Sequence, residues 1–352
     1  MQFIKRIYKT FHKNSYDYFV LGGDVGGTNI NLGIFGVKIN LPNLLLSFNF
    51  SSKDLKALHY AVNEVLSYIK TNYKIKIIKA CFGVAGVLSS RKDFAEITNI
   101  KWNLSVKELL KKTELKKVIL INDFEAIGYG INILSKKDIF VIKKAKKIPK
   151  APILIIGAGT GLGKTILLYS EYQKSYAPIP SEAGHSDFAV QNQNEFDLII
   201  FIKKYKKIKS NISYEQVLSG RGLSNIYLFL RKSKKFKETK CTEEIDKSNN
   251  QPELISKYKK IDKTCKTTFE IFKAIYAKFA RNFALDCLPF GGVYIAGGIA
   301  PKNREIFDKD FVEVFERNYK MKNVLKKIPV YLILNYNVGL LGAGFVGAKF
   351  LT

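Results

Sequence analysis

From Tyr18 onward the chain runs YFVLGGDVGGTNINLGIF, two apolar stretches around a cluster of Gly, Asp, Thr and Asn. Such a pattern predicts strand, glycine turn, strand. Leu55, Leu58, Val62, Val65, Leu66 and Ile69 then recur at three- and four-residue spacing, which predicts an amphipathic helix. Ile75–Val84 reads as a strand ending in the turn Gly83-Val84-Ala85-Gly86, followed by a helix around Val106–Lys112 and a buried strand at Val118–Ile121. Beyond the lysine-rich stretch Lys143–Lys150 the opening pattern returns as APILIIGAGTGLGKTILLYS, again strand, glycine turn, strand. A long helix over Phe269–Leu288, a strand and turn at Val293–Ile299, a strand near Val330–Leu334 and a helix over Val338–Phe350 close the chain. Strands alternating with helices argue an α/β fold.

The repeated hairpin is the strongest organisational signal. Two domains that each open with a glycine-turn hairpin would together make a cleft lined by backbone N–H groups, suited to a polyphosphate. The segment Arg231–Asp262 is polar, lysine-rich and poor in apolar positions, and reads as a surface insertion or a loose helical excursion, the most mobile part of the chain. The basic, aromatic start MQFIKRIYKTFHKN lacks the Ser and Arg enrichment of a transit peptide, so it reads as an extension ahead of the first strand.

At 352 residues with 47% apolar composition the chain can bury the core of two domains. No apolar run approaches the ~20 residues that span a bilayer, so no membrane partner is expected. The net charge of +28 is almost wholly lysine, and the arginines are confined to Arg6, Arg91, Arg221, Arg231, Arg281, Arg304 and Arg317. Nucleic-acid readers favour clustered Arg forks interleaved with aromatics. The lysines here are dispersed between apolar runs, which predicts a solvated basic surface that attracts anionic nucleotides and no nucleic-acid partner. Cys81, Cys241, Cys265 and Cys287 lack metal-site or disulfide spacing, so a cytoplasmic setting is expected.

The turn Asp24-Val25-Gly26-Gly27-Thr28-Asn29 could serve turn geometry alone, but a carboxylate ending an apolar strand is costly unless it is used. Beside the glycines it could hold Mg²⁺ through water while backbone N–H groups and Thr28 take phosphate oxygens. The second turn, Gly157 to Gly163 with Gly159, Thr160 and Gly161 at its centre, strengthens that reading. Ala158–Thr165 nearly spells a phosphate-binding P-loop. A P-loop must lead into a helix, whereas Ile166-Leu167-Leu168-Tyr169 predicts a strand. Lys164 is left as a residue near phosphate or on the surface.

Asn122-Asp123 puts a carboxylate at the C-terminal end of a buried strand, the edge where α/β sheets bind ligands. Asp123 is thus a candidate general base, with a helix N-cap as the plainer alternative. Glu182 and His185 flank Gly184 closely enough to hold neighbouring hydroxyls of a polyol, and Glu215 could add a carboxylate.

The ordered motifs LGGDVGGTN, FGVAG, TNIKWNL, INDFEAIGYGI, GAGTGLG, SEAGHSDF, EQVLSGRGLSNIY, YIAGGI, IPVYLI and GLLGAG closely resemble the bacterial glucokinase family over Phe19 to Leu351. The resemblance implies a two-domain actin-like ATPase (ribonuclease H-like) fold with a sugar in the interdomain cleft. It implies a small domain of residues 19–133 plus 337–352 and a large one of 134–336. By the same resemblance Asp123 is the general base, and Asn122, Glu182, His185 and Glu215 contact the sugar. Asp24, Gly26, Gly27, Thr28, Asn29, Gly159, Thr160 and Gly161 match the phosphate loops, and Gly297-Gly298 the loop near adenosine. The implied substrates are glucose and ATP with Mg²⁺, in a cytoplasmic homodimer.

The chain departs from the family in having Ala183 where a Gly is usual, Arg221 where Pro is common, and Lys164 where a small or apolar residue stands. Ala183 would strain the site if its φ were positive. The Cys-rich zinc motif of repressor-type relatives is absent. The alternatives are a kinase of another hexose or amino sugar and a non-enzymatic sugar sensor.

Overall fold

The computed structural model describes residues 3–97 and 100–351; Thr98 and Asn99 of the TNIKWNL motif lie outside the described residues. In chain order the elements open with β1 (Ile4–Ile7), β2 (Tyr18–Val25), β3 (Asn29–Lys38), β4 (Leu41–Ser51), α1 (Leu58–Tyr73) and β5 (Lys79–Val84). Three short strands, β6 (Gly86–Leu88), β7 (Phe94–Ile97) and β8 (Leu104–Ser105), precede α2 (Val106–Lys112), β9 (Lys117–Asn122) and α3 (Asp123–Gly130). Next come β10 (Ile139–Lys143), β11 (Ile153–Ala158), β12 (Leu162–Ser170), β13 (Ser175–Ile179), α4 (Gln193–Lys206) and α5 (Gly220–Lys232). The chain closes through α6 (Lys240–Lys247), α7 (Gln251–Tyr258), α8 (Lys263–Cys287), β14 (Val293–Ala296), α9 (Ile299–Lys302), α10 (Lys309–Glu316), α11 (Lys322–Leu325), β15 (Val330–Ile333) and α12 (Val338–Phe350). No helix among the described residues is long and apolar enough to cross a membrane.

The chain folds as two units, one of residues 1–136, 169–180 and 335–352, the other of residues 137–168 and 181–334. In the first, the strands lie in the order β1-β4-β3-β2-β5-β9, with β2, β5 and β9 parallel. The face bearing Leu21, Leu32, Phe48 and Phe82 buries against the apolar stripe of α1, Val62, Val65 and Ile69. On the opposite face Val20, Phe35 and Val37 meet Leu340 and Ala348 of α12. Alternation along the strands sends successive side chains to opposite faces, so both are apolar and both are covered.

Helices α12 and α3 cross on this second face at glycines. A Cβ on Gly342 would lie 1.7 Å from the Ala126 carbonyl oxygen, and one on Gly130 would lie 2.4 Å from the Val338 oxygen. The missing side chains let the two backbones touch, which fixes α3 and the residue at its head, Asp123.

The N-terminal segment, expected as an extension ahead of the first strand, itself forms β1. It pairs antiparallel with β4 from Ile4↔Asn49 to Ile7↔Leu46, using backbone groups that an edge strand would leave open. Phe3 meets Phe48 and Phe50 at 5.4 and 5.6 Å between ring centroids, and Phe11 stacks on Tyr73 at 4.8 Å.

The second unit carries strands β10-β15-β14-β11-β12 in that order. Its core joins Leu154 and Ile156 to Phe272, Tyr276 and Phe279 of α8 and to Leu223 and Ile226 of α5. The stretch 231–262 is helical, as one of the two expected readings had it, but it is packed and not loose. It forms α6 and α7, with Thr239 and Thr242 closing a capping box at the head of α6. Asp262 caps α8, accepting from the Cys265 N–H at 2.9 Å. Ile245 and Ile255 are fully buried in the core. Ile245→Ala is therefore expected to destabilise the protein by about 2–4 kcal/mol in denaturant unfolding, where a mobile surface segment would give almost no change.

Candidate active site

The first unit gathers its candidates on one sheet edge. Parallel register pairs Asp24 with Gly83 and Val84 with Asn122, so Asp24 and Asp123 end strands two apart. Strands lie about 4.8 Å apart, which puts the two backbones about 10 Å from each other. Beyond Asp24 the chain turns through Gly26–Asn29, closed by the Gly26 N–H donating to the Asn29 carbonyl at 3.0 Å. Ser52 ties the turn down, its hydroxyl donating to the Gly26 carbonyl at 2.7 Å and its N–H to that of Thr28 at 2.9 Å. Thr28 and Asn29 are exposed.

The Asp24 carboxylate lies beside the start of α12, 3.4 Å from where a Cβ on Gly339 would stand. Burial pushes its carboxyl up to about 6, because a partly dehydrated carboxylate pays to be charged.

At the head of α3, capping falls to Asn122, not Asp123. The Asn122 side-chain oxygen accepts the Phe124 N–H at 2.8 Å, and Glu125 accepts the Asn122 N–H at 2.9 Å. Lys92 holds the other Glu125 oxygen at 2.6 Å. Asp123 is the first helical residue, half-buried, its Oδ1 accepting the same Phe124 N–H at 2.9 Å. The alternative of a helix cap thus belongs to its neighbour.

In the second unit, Glu182 and His185 flank a 3-10 turn, with the His185 N–H donating to the Glu182 carbonyl at 2.9 Å. Gly184 is pressed on Leu162, where a Cβ would come within 2.0 Å of the carbonyl oxygen. A bridge between Asp187 and Ser213 lays this segment beside the turn Tyr214–Gln216 that carries Glu215. The structure therefore lays the segment carrying Glu182 and His185 beside the turn carrying Glu215, with Leu162 against both Gly184 and Glu215. Glu182 and His185 are exposed; Glu215 is buried, and its Oε2 accepts the Leu162 N–H at 3.0 Å. Ala183 is not among the residues with positive φ, so its replacement of Gly brings no backbone strain.

The glycine turn Gly159–Gly161 joins β11 to β12, which is a strand, as the apolar run after Thr165 predicted. Lys164 is neither exposed nor at the turn. It is buried on β12, paired with Asp286 at 3.1 Å and lying over the Phe283 ring. Gly297, at the end of β14, has φ of +86°, and a Cβ there would meet the Ala158 oxygen at 2.5 Å. Only glycine fits that approach.

A cavity of about 880 Å³ opens beside these turns, lined by Gly159, Thr160, Gly298 and Asn303 and, unforeseen from sequence, by Arg221 and the Asn249–Glu253 stretch. Asn303 accepts from Ser256 at 2.6 Å and from Lys259 at 2.7 Å, fastening α7 to this wall. The helix-start signal Asn250-Gln251-Pro252-Glu253 was present in the sequence and could have shown that this stretch is built rather than loose.

The first unit thus carries a carboxylate beside a glycine turn and a second at a helix head on the same sheet edge, and the second unit carries a cavity at another glycine turn, residue types that phosphoryl transfer uses. The chain belongs to the glucokinase family, whose model, described as Glucokinase, matches residues 21–349. It is 37% identical to a glucokinase of Nostoc punctiforme and 36% to one of Trichormus variabilis, each match covering 94% of this chain and 99% of the relative. A crystal structure of a glucokinase from an Antarctic psychrotroph superposes with a TM-score of 0.76 at 26% identity, covering 94% of this chain and 98% of that one. The protein is accordingly an ATP-dependent hexose kinase with the two-domain actin-like ATPase fold.

Proposed function

We propose that Asp123 is the general base that takes the proton of the glucose 6-hydroxyl as the γ-phosphoryl of ATP is transferred to it. The observation that carries this reading is its position at the C-terminal end of β9, on the edge it shares with Asp24, with capping left to Asn122. Asn122, Glu182, His185 and Glu215 hold the sugar hydroxyls. The Gly26–Asn29 and Gly159–Gly161 turns hold phosphate oxygens, and Gly297-Gly298 lies by the adenosine. The domains expected from sequence, 19–133 with 337–352 and 134–336, differ from the two units of the fold chiefly in residues 169–180, which pack with the first unit.

Among the described residues no group of three or more His, Cys, Asp or Glu could hold a metal ion by itself. The lone carboxylate of Asp24 fits Mg²⁺, which keeps several waters and takes its remaining ligands from substrate phosphates. The bound ion would offset charge on the phosphoryl oxygens. Four free cysteines accord with the cytoplasmic setting expected from sequence, and the assembly expected there is a homodimer.

A coupled assay with and without glucose, run from pH 5 to 8, tests the reading. ATP consumption is expected to require glucose, and the KM for Mg-ATP to rise as Asp24 takes its proton below about pH 6. Glucose-independent turnover sinks the proposal. The sign for stability is opposite. The folded carboxyl holds its proton more tightly than the unfolded one, so its contribution favours folding below about pH 4 and is lost as pH rises to about 6.

A further inference from the structure

We propose that Arg221, tethered to Glu215, is a contact for the nucleotide phosphates. The inference builds on the nucleotide site described above and adds to it a residue that the glycine turns do not supply.

Arg221 is the second residue of α5, and its Nη2 donates to Glu215 Oε1. The partner carboxylate is buried, whereas the Arg221 side chain is 63% exposed and lines the cavity beside Gly159 and Thr160. The other Glu215 oxygen holds the Leu162 N–H, and a Cβ on Gly161 would lie 2.7 Å from it. The guanidinium is therefore tethered to a carboxylate braced directly behind the glycine turn. The turn and α5 are themselves joined, the Gly220 N–H donating to the Gly159 carbonyl at 2.8 Å.

A phosphate arriving at this turn meets a negative charge behind it. Arg221 answers that charge and, with five N–H donors in a planar fork, has capacity beyond the single bond it gives Glu215. Lys206 and Lys302 also line the cavity, but as point charges without a fork. Because Glu215 is also proposed to hold the sugar, one carboxylate connects the two substrates. A hydroxyl that takes Glu215 Oε1 frees the guanidinium for the phosphates.

Isothermal titration of the whole protein with ADP and with adenosine tests this. Arg221→Met is expected to weaken ADP binding about 10- to 100-fold, the range for hydrogen bonds to charged groups, and to leave adenosine within about twofold. Arg221→Lys should recover part of the loss. The double variant Arg221→Met with Glu215→Gln removes the buried charge that the single variant leaves unpaired, separating a folding defect from a lost phosphate contact. It should remain weak for ADP if Arg221 touches phosphate. Recovery of wild-type ADP affinity in the double variant, or equal loss of ADP and adenosine in the single one, overturns the proposal. A wild-type protein that binds no ADP would instead fail the underlying kinase reading.

Discussion

Asp123→Asn is expected to lower kcat by at least about 10²-fold, within the range of about 10²–10⁴ that a general base contributes. Asparagine has the same shape, and its carbonyl oxygen can still accept the Phe124 N–H that Asp123 Oδ1 accepts at 2.9 Å. The α3 cap rests on Asn122 and Glu125 and is untouched. What the substitution removes is the capacity to take a proton. Glucose affinity, measured by titration without ATP, should therefore stay near wild type while turnover collapses. A kcat close to wild type would remove Asp123 from the chemistry, and a parallel loss of glucose affinity would make it a sugar contact instead.

Gly342→Ala is expected to destabilise the protein by about 3 kcal/mol, the upper part of the range for overpacking. The added methyl would lie 1.7 Å from the Ala126 carbonyl oxygen and 2.7 Å from the Gly130 nitrogen, both backbone atoms that cannot swing aside. Helices α12 and α3 must separate to admit it. Gly347 in the same helix is the control, since a Cβ there meets nothing closer than 3.5 Å, at Val20. Gly347→Ala should be neutral or slightly stabilising, because alanine favours a helix over glycine by about 1 kcal/mol. Denaturant midpoints of the two variants measure the difference. Equal effects would mean that helix propensity, not the crossing, governs this segment.

Much of the fold was legible because burial writes a period into the sequence. The hairpin of β2 and β3 and the bounds of α12 were predicted from unbroken apolar patterns, and Phe269–Leu288 marked most of α8. The packing of the stretch 231–262 was not legible for the converse reason. Ile245 and Ile255 are the fully buried apolar residues of α6 and α7, too few to show a period over eight-residue helices. β1 gave no signal either. Its side chains are all exposed, and its strand form comes from backbone pairing to β4.

The site divides the same way. The placement of candidates carried by neighbours in sequence, such as Asp24 with its glycine turn or Asn122-Asp123 at a strand end, could be read directly. The fate of Lys164 could not, because its partner Asp286 stands 122 positions away on another element. Nor could the bond between Arg221 and Glu215, which depends on the fold of a turn rather than on spacing.

The sequence alone determined the family, the alternation of strands and helices, and the residue types available for phosphoryl transfer, since periodicity and local motifs are short-range properties. Tertiary structure alone decided which charges are paired, which oxygens are occupied, and which segments wall the cavity beside Gly159 and Thr160. Those outcomes rest on burial and on contacts between residues far apart in the chain, where a dehydrated charge must find a partner wherever packing places one.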